Sequence, residues 1–367
     1  MSPWRMTGSL LDQRGGHAAN LLLDGTVLIS GGYDDQLSVT LRSCELYTPA
    51  SGSFGSTAPM CYKRAGHTTT IMPNGTVLAV GGNEAPVTEI YFPGPCAEWV
   101  VAGQMIQARG GQAAAILPSG GVLVCGGYDP VSYAVFATAE EFDPTTQSWA
   151  PVGAMARRRS GHTATPLTDG RVLIVGGGEP SGTVLPSVEV YDPQTKTFSV
   201  PPNAPAVGRV GHTATRLADG RVLIAGGEAT TFAPISTSLA SCEIYDAGAW
   251  SIVGNLTTGR RSHDACLTRN GKVLVSGGLG AYTHTESYEV LSSAELFDPT
   301  TLSWTATASM SARRTGHTQT LLAESGFSAI TRAETMILVT GGGVQTLATA
   351  EIYESGYIIP PGPTEAA

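Results

Sequence analysis

The chain has 367 residues and a formal net charge of −9, and only 14% of its residues are charged. With a pI near 5.3 it lacks the concentrated basic surface that nucleic acid demands or that an anionic membrane attracts. No apolar run reaches the ~18 residues of a membrane span, and 46 glycines and 23 prolines beside 42% hydrophobic residues describe a turn-rich globular body.

The N-terminus, Met1-Ser2-Pro3-Trp4-Arg5, has no apolar core of the kind a signal peptide needs. The expectation is a cytoplasmic protein, or a secreted one whose leader has been trimmed. From residue 14 onward one template recurs with a period of roughly 50 residues. Each copy opens on an arginine: Arg14, Arg64, Arg109, Arg159, Arg209, Arg260 and Arg314. Three positions later stand His17, His67, Gln112, His162, His212, His263 and His317. An alternating run, a tight Asp-Gly, Asn-Gly or Ser-Gly turn and a second apolar run then lead to a Gly-Gly pair, such as Gly176-Gly177. A loop of variable length precedes a Glu-x-aromatic element, from Glu45/Tyr47 to Glu351/Tyr353, and an aromatic closes the copy.

Each copy reads as four short strands, a to d. The closing aromatics Phe54, Trp99, Trp149, Phe198, Trp250 and Trp304 number six. The seventh is Trp4, ten residues before Arg14, the interval that separates Phe54 from Arg64. Residues 3–8 are therefore expected to supply the outer strand of the last blade, whose other three strands come from residues 316–353. Closing the ring this way removes the free ends of an open solenoid. Residues 1–357 form one domain on this reading, all-β and seven-bladed, with 358–367 a disordered tail.

In its Gly-Gly, Glu-x-Tyr and Trp register the chain resembles the kelch-repeat β-propellers, and within them the bacterial kelch and galactose-oxidase-like central-domain group. The resemblance covers nearly the whole chain and implies the fold. It implies little about function, because propellers host binding modules, lectins and enzymes alike.

Residues shared by all copies read as scaffold. The seven arginines match seven strand-c glutamates, so a buried Arg–Glu pair is expected in each blade, with the Gly pair leaving space for the arginine to cross. The rival is a ring of arginines at the mouth that binds an anion. The histidines read as a repeated hydrogen bond inside the sheet rather than metal ligands, because one per blade does not converge on one ion. No metal and no cofactor is expected. The six cysteines do not form a disulfide framework, although Cys61 and Cys96 in connecting segments could pair.

Function is expected where the template breaks. The a–b turns are near-identical, whereas the b–c loops range from seven positions (Gly82 to Glu89) to seventeen (Gly278 to Glu295), and such variation marks a binding face. That face reads as acidic and aromatic. Ligand-binding candidates are Tyr33, Asp34, Tyr128, Asp129, Glu179, Glu228, Phe232, Tyr282 and His284, with Tyr133, Phe136, Glu286, Tyr288 and Glu289 beside them. His284, Asp34, Asp129, Glu84, Glu179 and Tyr282 could supply acid–base chemistry. Two enzyme signatures of the resemblance are missing: no tyrosine stands at the strand-a heads for a copper-radical oxidase, and the Glu-x3-Asp-x3-His pattern of iron-dependent plant specifier proteins is absent. No phosphate-binding glycine motif opens a helix. The leading reading is a monomeric recognition scaffold that binds a protein partner or a polar small ligand at the b–c loop face. The alternatives are a cofactor-free isomerase, lyase or cyclase in the same mouth, and a carbohydrate-binding module.

Overall fold

The computed structural model describes residues 2–229, 238–282, 288–323, 333–343 and 346–357. Seven four-stranded antiparallel sheets account for most of them, and among the described residues no helix is long and apolar enough to cross a membrane. Blade 4 shows the pattern: strand a (Thr163–Pro166), b (Val172–Val175), c (Val188–Asp192) and d (Thr197–Ser199). The inner strands of successive blades follow one another round the ring, and the last, Thr318–Leu321, packs beside the first, Ala18–Leu21.

The ring closes as the Trp4 interval predicts. Trp4–Met6 pairs with Ala350–Tyr357, setting Trp4 opposite Tyr353, with the two rings 5.1 Å apart. The six other blades carry the same c–d aromatic pair, from Tyr47–Phe54 at 4.8 Å to Tyr245–Trp250 at 5.3 Å. Strands b and c of the last blade run longer than the repeat suggests, over Ala333–Thr340 and Ala350–Tyr357.

Strand b is a continuous apolar run because each blade is covered on both faces. All four residues of Val172–Val175 are buried, and period-2 alternation deals them to two sides. Val172 and Ile174 pack with Leu123 and Cys125 of blade 3; Leu173 and Val175 pack with Val222 and Ile224 of blade 5. Seven such clusters, one per blade boundary, make up the core. All six cysteines are free, so Cys61 and Cys96 do not pair.

The Gly pairs differ from expectation in what they make room for. Both glycines of blade 4 lie at positive φ, +66° at Gly176 and +97° at Gly177, where any other residue is strained. A Cβ on Gly176 would collide with the carbonyl oxygen of Arg209 and press on the ring of His212, both from the next blade. Only Gly177 clears Arg159 of its own blade. The first glycine therefore serves the boundary and the second serves the arginine.

Candidate functional site

The head arginines point into the blades. Each has a fully buried side chain and meets the strand-c glutamate of its own blade: Arg14–Glu45 and Arg159–Glu189 at 2.7 Å, Arg209–Glu243 at 2.6 Å, and Arg64–Glu89, Arg109–Glu140, Arg260–Glu295 and Arg314–Glu351 at 2.9 Å. Arg159 Nη1 also donates to the carbonyl of Gly176 at 2.6 Å. Glu189 in turn accepts the backbone amides of Ala156 and Arg157, which lie in the connector from the preceding blade. The pair thus ties strand b, strand c and the incoming chain together. No guanidinium of this set is exposed to an anion at the mouth.

The histidines are buried too, and their bond runs between sheets rather than inside one. His212 Nε2 lies 3.0 Å from Thr163 Oγ1 of the preceding blade, His263 lies 3.0 Å from Thr213, and His67 and His317 reach Ser30 and Ser276. His17 reaches Thr318 and Thr340 and so joins blade 1 to blade 7. Burial, helped by the neighbouring arginine, pushes His67, His162, His212 and His317 down to about 3 and His17 and His263 well below the ordinary value. Burial thus favours the neutral imidazole in all six. Among the described residues no three of His, Cys, Asp and Glu stand together as a metal's donor set.

On the loop face most of the acidic candidates are held by their own loops. Asp34 is buried, accepting Gln13 Nε2 at 2.9 Å and the amides of Gln36 and Leu37. Asp129 accepts the amides of Ser132 and Val131, which hold its carboxyl below the usual range. Glu179 pairs with Arg157 at 3.1 Å. Glu228 pairs with Arg261 at 2.7 Å, and burial pushes its carboxyl up. Arg261 also lies 4.2 Å from the ring centroid of Tyr288, which meets Tyr282 edge-on at 5.0 Å. The face is therefore less acidic in effect than in composition. Phe232, His284 and Glu286 lie outside the described residues.

The aromatic candidates form two separate pairs, Tyr282 with Tyr288 on the blade-6 loop and Tyr128 with Tyr133 on the blade-3 loop. Tyr128 stacks against Tyr133 at 6.1 Å, and Tyr133 is 73% exposed. Beside them the face opens into a cavity of about 800 Å³ lined by Thr40, Tyr62, Lys63, Asn83, Glu84, Tyr128 and Pro130, with Gly66 and Gly111 in its wall. Its origin is a difference in loop length. The blade-2 loop spans seven positions between Gly82 and Glu89, whereas its neighbours, Gly32 to Glu45 and Gly127 to Glu140, span thirteen. A short loop between two tall ones leaves a notch, and the blade-1 loop stiffens one wall as a small hairpin of Tyr33–Asp34 with Val39–Thr40.

A backbone belt encircles the axis just inside this face. The second residue after each head arginine links to the next blade: Gly66 N to Gly16 O, Gly161 N to Gly111 O, Gly211 N to Gly161 O, Ser262 N to Gly211 O, Gly316 N to Ser262 O and Gly16 N to Gly316 O, at 2.8–3.5 Å. Among the described residues the seventh link, Gly111 to Gly66, is the one not made. It is the boundary between blades 2 and 3, below the notch, and it is where Gln112 replaces the histidine. There Gln112 Nε2 reaches Val80 O at 3.0 Å instead. Neither glycine stood out in the sequence. The signals that pointed to them were Gln112 and the short loop.

A second hollow, about 840 Å³, lies at the opposite end among the a–b turns and is walled by Ile116, Leu117, Leu167, Leu217 and Leu267. None of its lining side chains carries an unpartnered buried polar atom.

Residues 111–343, well over half of the chain, match the family described as the KLHDC2/KLHL20/DRC7 Kelch-repeats domain. The chain is a kelch-repeat protein. No curated protein matches it. Solved structures similar to this kelch chain include a fungal alcohol oxidase of the AA5 family in complex with copper, at 18% identity and a TM-score of 0.74, with 96% of this chain and 76% of the oxidase covered. YjhT is similar at 15% identity and a TM-score of 0.62, with 82% and 99% covered. At these identities the likeness shows the fold alone, and the oxidase's copper is a property of the oxidase.

Proposed function

We propose that this kelch chain is a recognition scaffold that holds a protein partner on its b–c loop face. The observation that carries the reading is the notch and its rim. Leu37, Val131 and Tyr133 are each at least 70% exposed, Tyr33, Val39 and Tyr62 more than a third, and all lie on the loops or connector that flank the cavity. Of these Tyr62 lines the cavity itself and the others stand on its flanking loops; exposed apolar side chains beside a concave site are the usual mark of an interaction surface. Kelch propellers are commonly protein-interaction scaffolds, which adds to the same reading. The isomerase, lyase or cyclase alternative needs two acid–base groups at one point. The loop contacts of Asp34, Asp129 and Glu179 leave Glu84 as the carboxylate beside the cavity, so that alternative draws less support. A carbohydrate module is poorly matched by the aliphatic part of the rim.

The test is site-directed photo-crosslinking in cells, with benzoylphenylalanine placed at Tyr133 or, on the opposite face, at Leu302. A discrete adduct at 133 that Val131→Asp abolishes supports the reading. Adducts only at 302, or none at either site, count against it.

A further inference from the structure

The boundary between blades 2 and 3 departs from the other six in main-chain pairing as well as in shape. In five blades the residue after the Gly pair bridges back to the residue after its own head arginine: Tyr33 to Gly15, Tyr128 to Gly110, Gly178 to Ser160, Glu228 to Val210 and Leu279 to Arg261; in blade 7 one bond is made, from Gly343 N to Thr315 O at 3.0 Å. Asn83 occupies that position in blade 2 and, among the described residues, makes neither bond of such a bridge; the amide of Ala65 turns to Gly82 O instead. The carboxamide of Asn83 is an orphan as well. Its Oδ1 and Nδ2 are both buried and neither has a hydrogen-bond partner, a condition that native structures resolve with a ligand or a water when they tolerate it at all. Next to it stands the unmade belt link between Gly66 O and Gly111 N. The notch thus gathers an unpaired carboxamide and the main-chain groups of the one belt link that is not made among the described residues.

We propose that this notch receives an uncharged, extended polypeptide segment of the partner, whose main-chain amide is paired by the carboxamide of Asn83. The inference rests on the loop face being a recognition surface and names what that surface reads. A carboxamide presents one donor group and one acceptor side by side, the complement of a peptide group. Gly66 O and Gly111 N offer a second such set, and peptide recognition by main-chain pairing with pockets for alternate side chains is a general mode. The charges fit an uncharged segment: Lys63 and Glu84, of opposite sign, line the cavity and give no net field for an anion or a cation. Tyr62, Tyr128 and Tyr133 provide apolar surface for one side chain of the segment. In the complex the Asn83 carboxamide turns into the cavity to meet the peptide group.

The experiment pans a random heptapeptide phage library against the immobilised full chain. Selected peptides are then synthesised, and their Kd is measured by fluorescence polarisation on the parent, Asn83→Ala and Tyr133→Ala. The expected peptides are uncharged and carry an apolar residue. Asn83→Ala weakens them at least tenfold, methylation of one peptide amide nitrogen does the same on the parent chain, and Asn83→Ala melts no lower than the parent. Should Asn83→Ala fail to fold, the amide-methylation scan alone decides the point. Peptides that bind Asn83→Ala within threefold of the parent but lose affinity on Tyr133→Ala overturn the Asn83 assignment and leave the recognition face standing. Peptides indifferent to both changes, or no enrichment at all, overturn both. A glycan that binds the same chain only when Asn83 is present also overturns the proposal.

Discussion

Glu189→Ala is the most direct probe of what holds a blade together. The change leaves the Arg159 guanidinium buried without its counter-ion, since both side chains are at most 2% exposed. It also orphans the amides of Ala156 and Arg157. Breaking one partner out of a buried pair costs about 3–5 kcal/mol. The same blade supplies its own control in Arg157–Glu179, an ion pair of the same residue types at 3.1 Å whose arginine is 61% exposed. Exposed pairs are worth about 0–1 kcal/mol, so Glu179→Ala should leave stability nearly unchanged. Replacing both members with Arg159→Met and Glu189→Leu should not recover the parent. Arg159 also serves the carbonyl of Gly176 and the hydroxyl of Ser187, and those groups would be stranded with the connector amides. Urea unfolding at pH 7.5, followed by tryptophan fluorescence, measures all three variants. If Glu189→Ala and Glu179→Ala fall within about 1 kcal/mol of each other, the Arg–Glu pair does not brace the blade.

Acid should unfold the protein through its histidines. Their folded pKa values are depressed, so the stability they contribute is present above the unfolded value of about 6.5 and is lost as pH falls from there toward 3, at up to about 1.4 kcal/mol per pH unit for each histidine; a pH titration of the urea midpoint that stays flat between 6 and 4 would contradict this. Trp4 is buried, meets the ring of Tyr353 edge-on and donates to Ala308 O at 2.6 Å. Trp4→Ala should therefore cost about 3–5 kcal/mol, read as a lower Tm, and a change of under 1 kcal/mol would mean that ring closure does not depend on this strand.

The fold was legible because its evidence is repeated. Trp4 standing at the right interval before Arg14 placed a strand from one end of the chain in a blade built from the other, and seven arginines against seven glutamates foretold a pairing that no single copy could have established. The site was legible only as a face. Asp34, Asp129 and Glu228 are the right residue types for a polar site, but sequence shows a carboxylate without showing whether backbone amides or an arginine already occupy its oxygens. The first glycine of each pair was assigned to the wrong neighbour for a related reason. Gly176 meets Arg209 and His212, and contacts across a blade boundary join residues more than thirty positions apart. Gln112 and the seven-position loop after Gly82 were both visible as departures, and only the closed ring brings them to one boundary.

That boundary keeps its core while losing its rim. Met72, Leu78, Val80, Met105, Val122, Val124 and Phe142 pack across it as completely as their counterparts elsewhere, so the departure is confined to the head, the belt and the loop. A single missing backbone link costs on the order of 1 kcal/mol, small beside a buried ion pair, and a closed ring tolerates it at one place. Gln112→His tests whether the head position belongs to the scaffold or to the site. Thr68 offers the incoming imidazole the hydroxyl that Thr163 offers His212, and Gln112 already lies 3.5 Å from it. The variant should fold with unchanged or slightly higher stability at pH 7.5. Below about pH 5 it should lose about 1.4 kcal/mol more per pH unit than the parent, because a seventh neutral histidine is then buried. Peptide affinity at the notch should not move. An acid midpoint identical to the parent's would show that residue 112 does not take the histidine's place at the boundary, and a loss of peptide binding would assign Gln112 to the site itself.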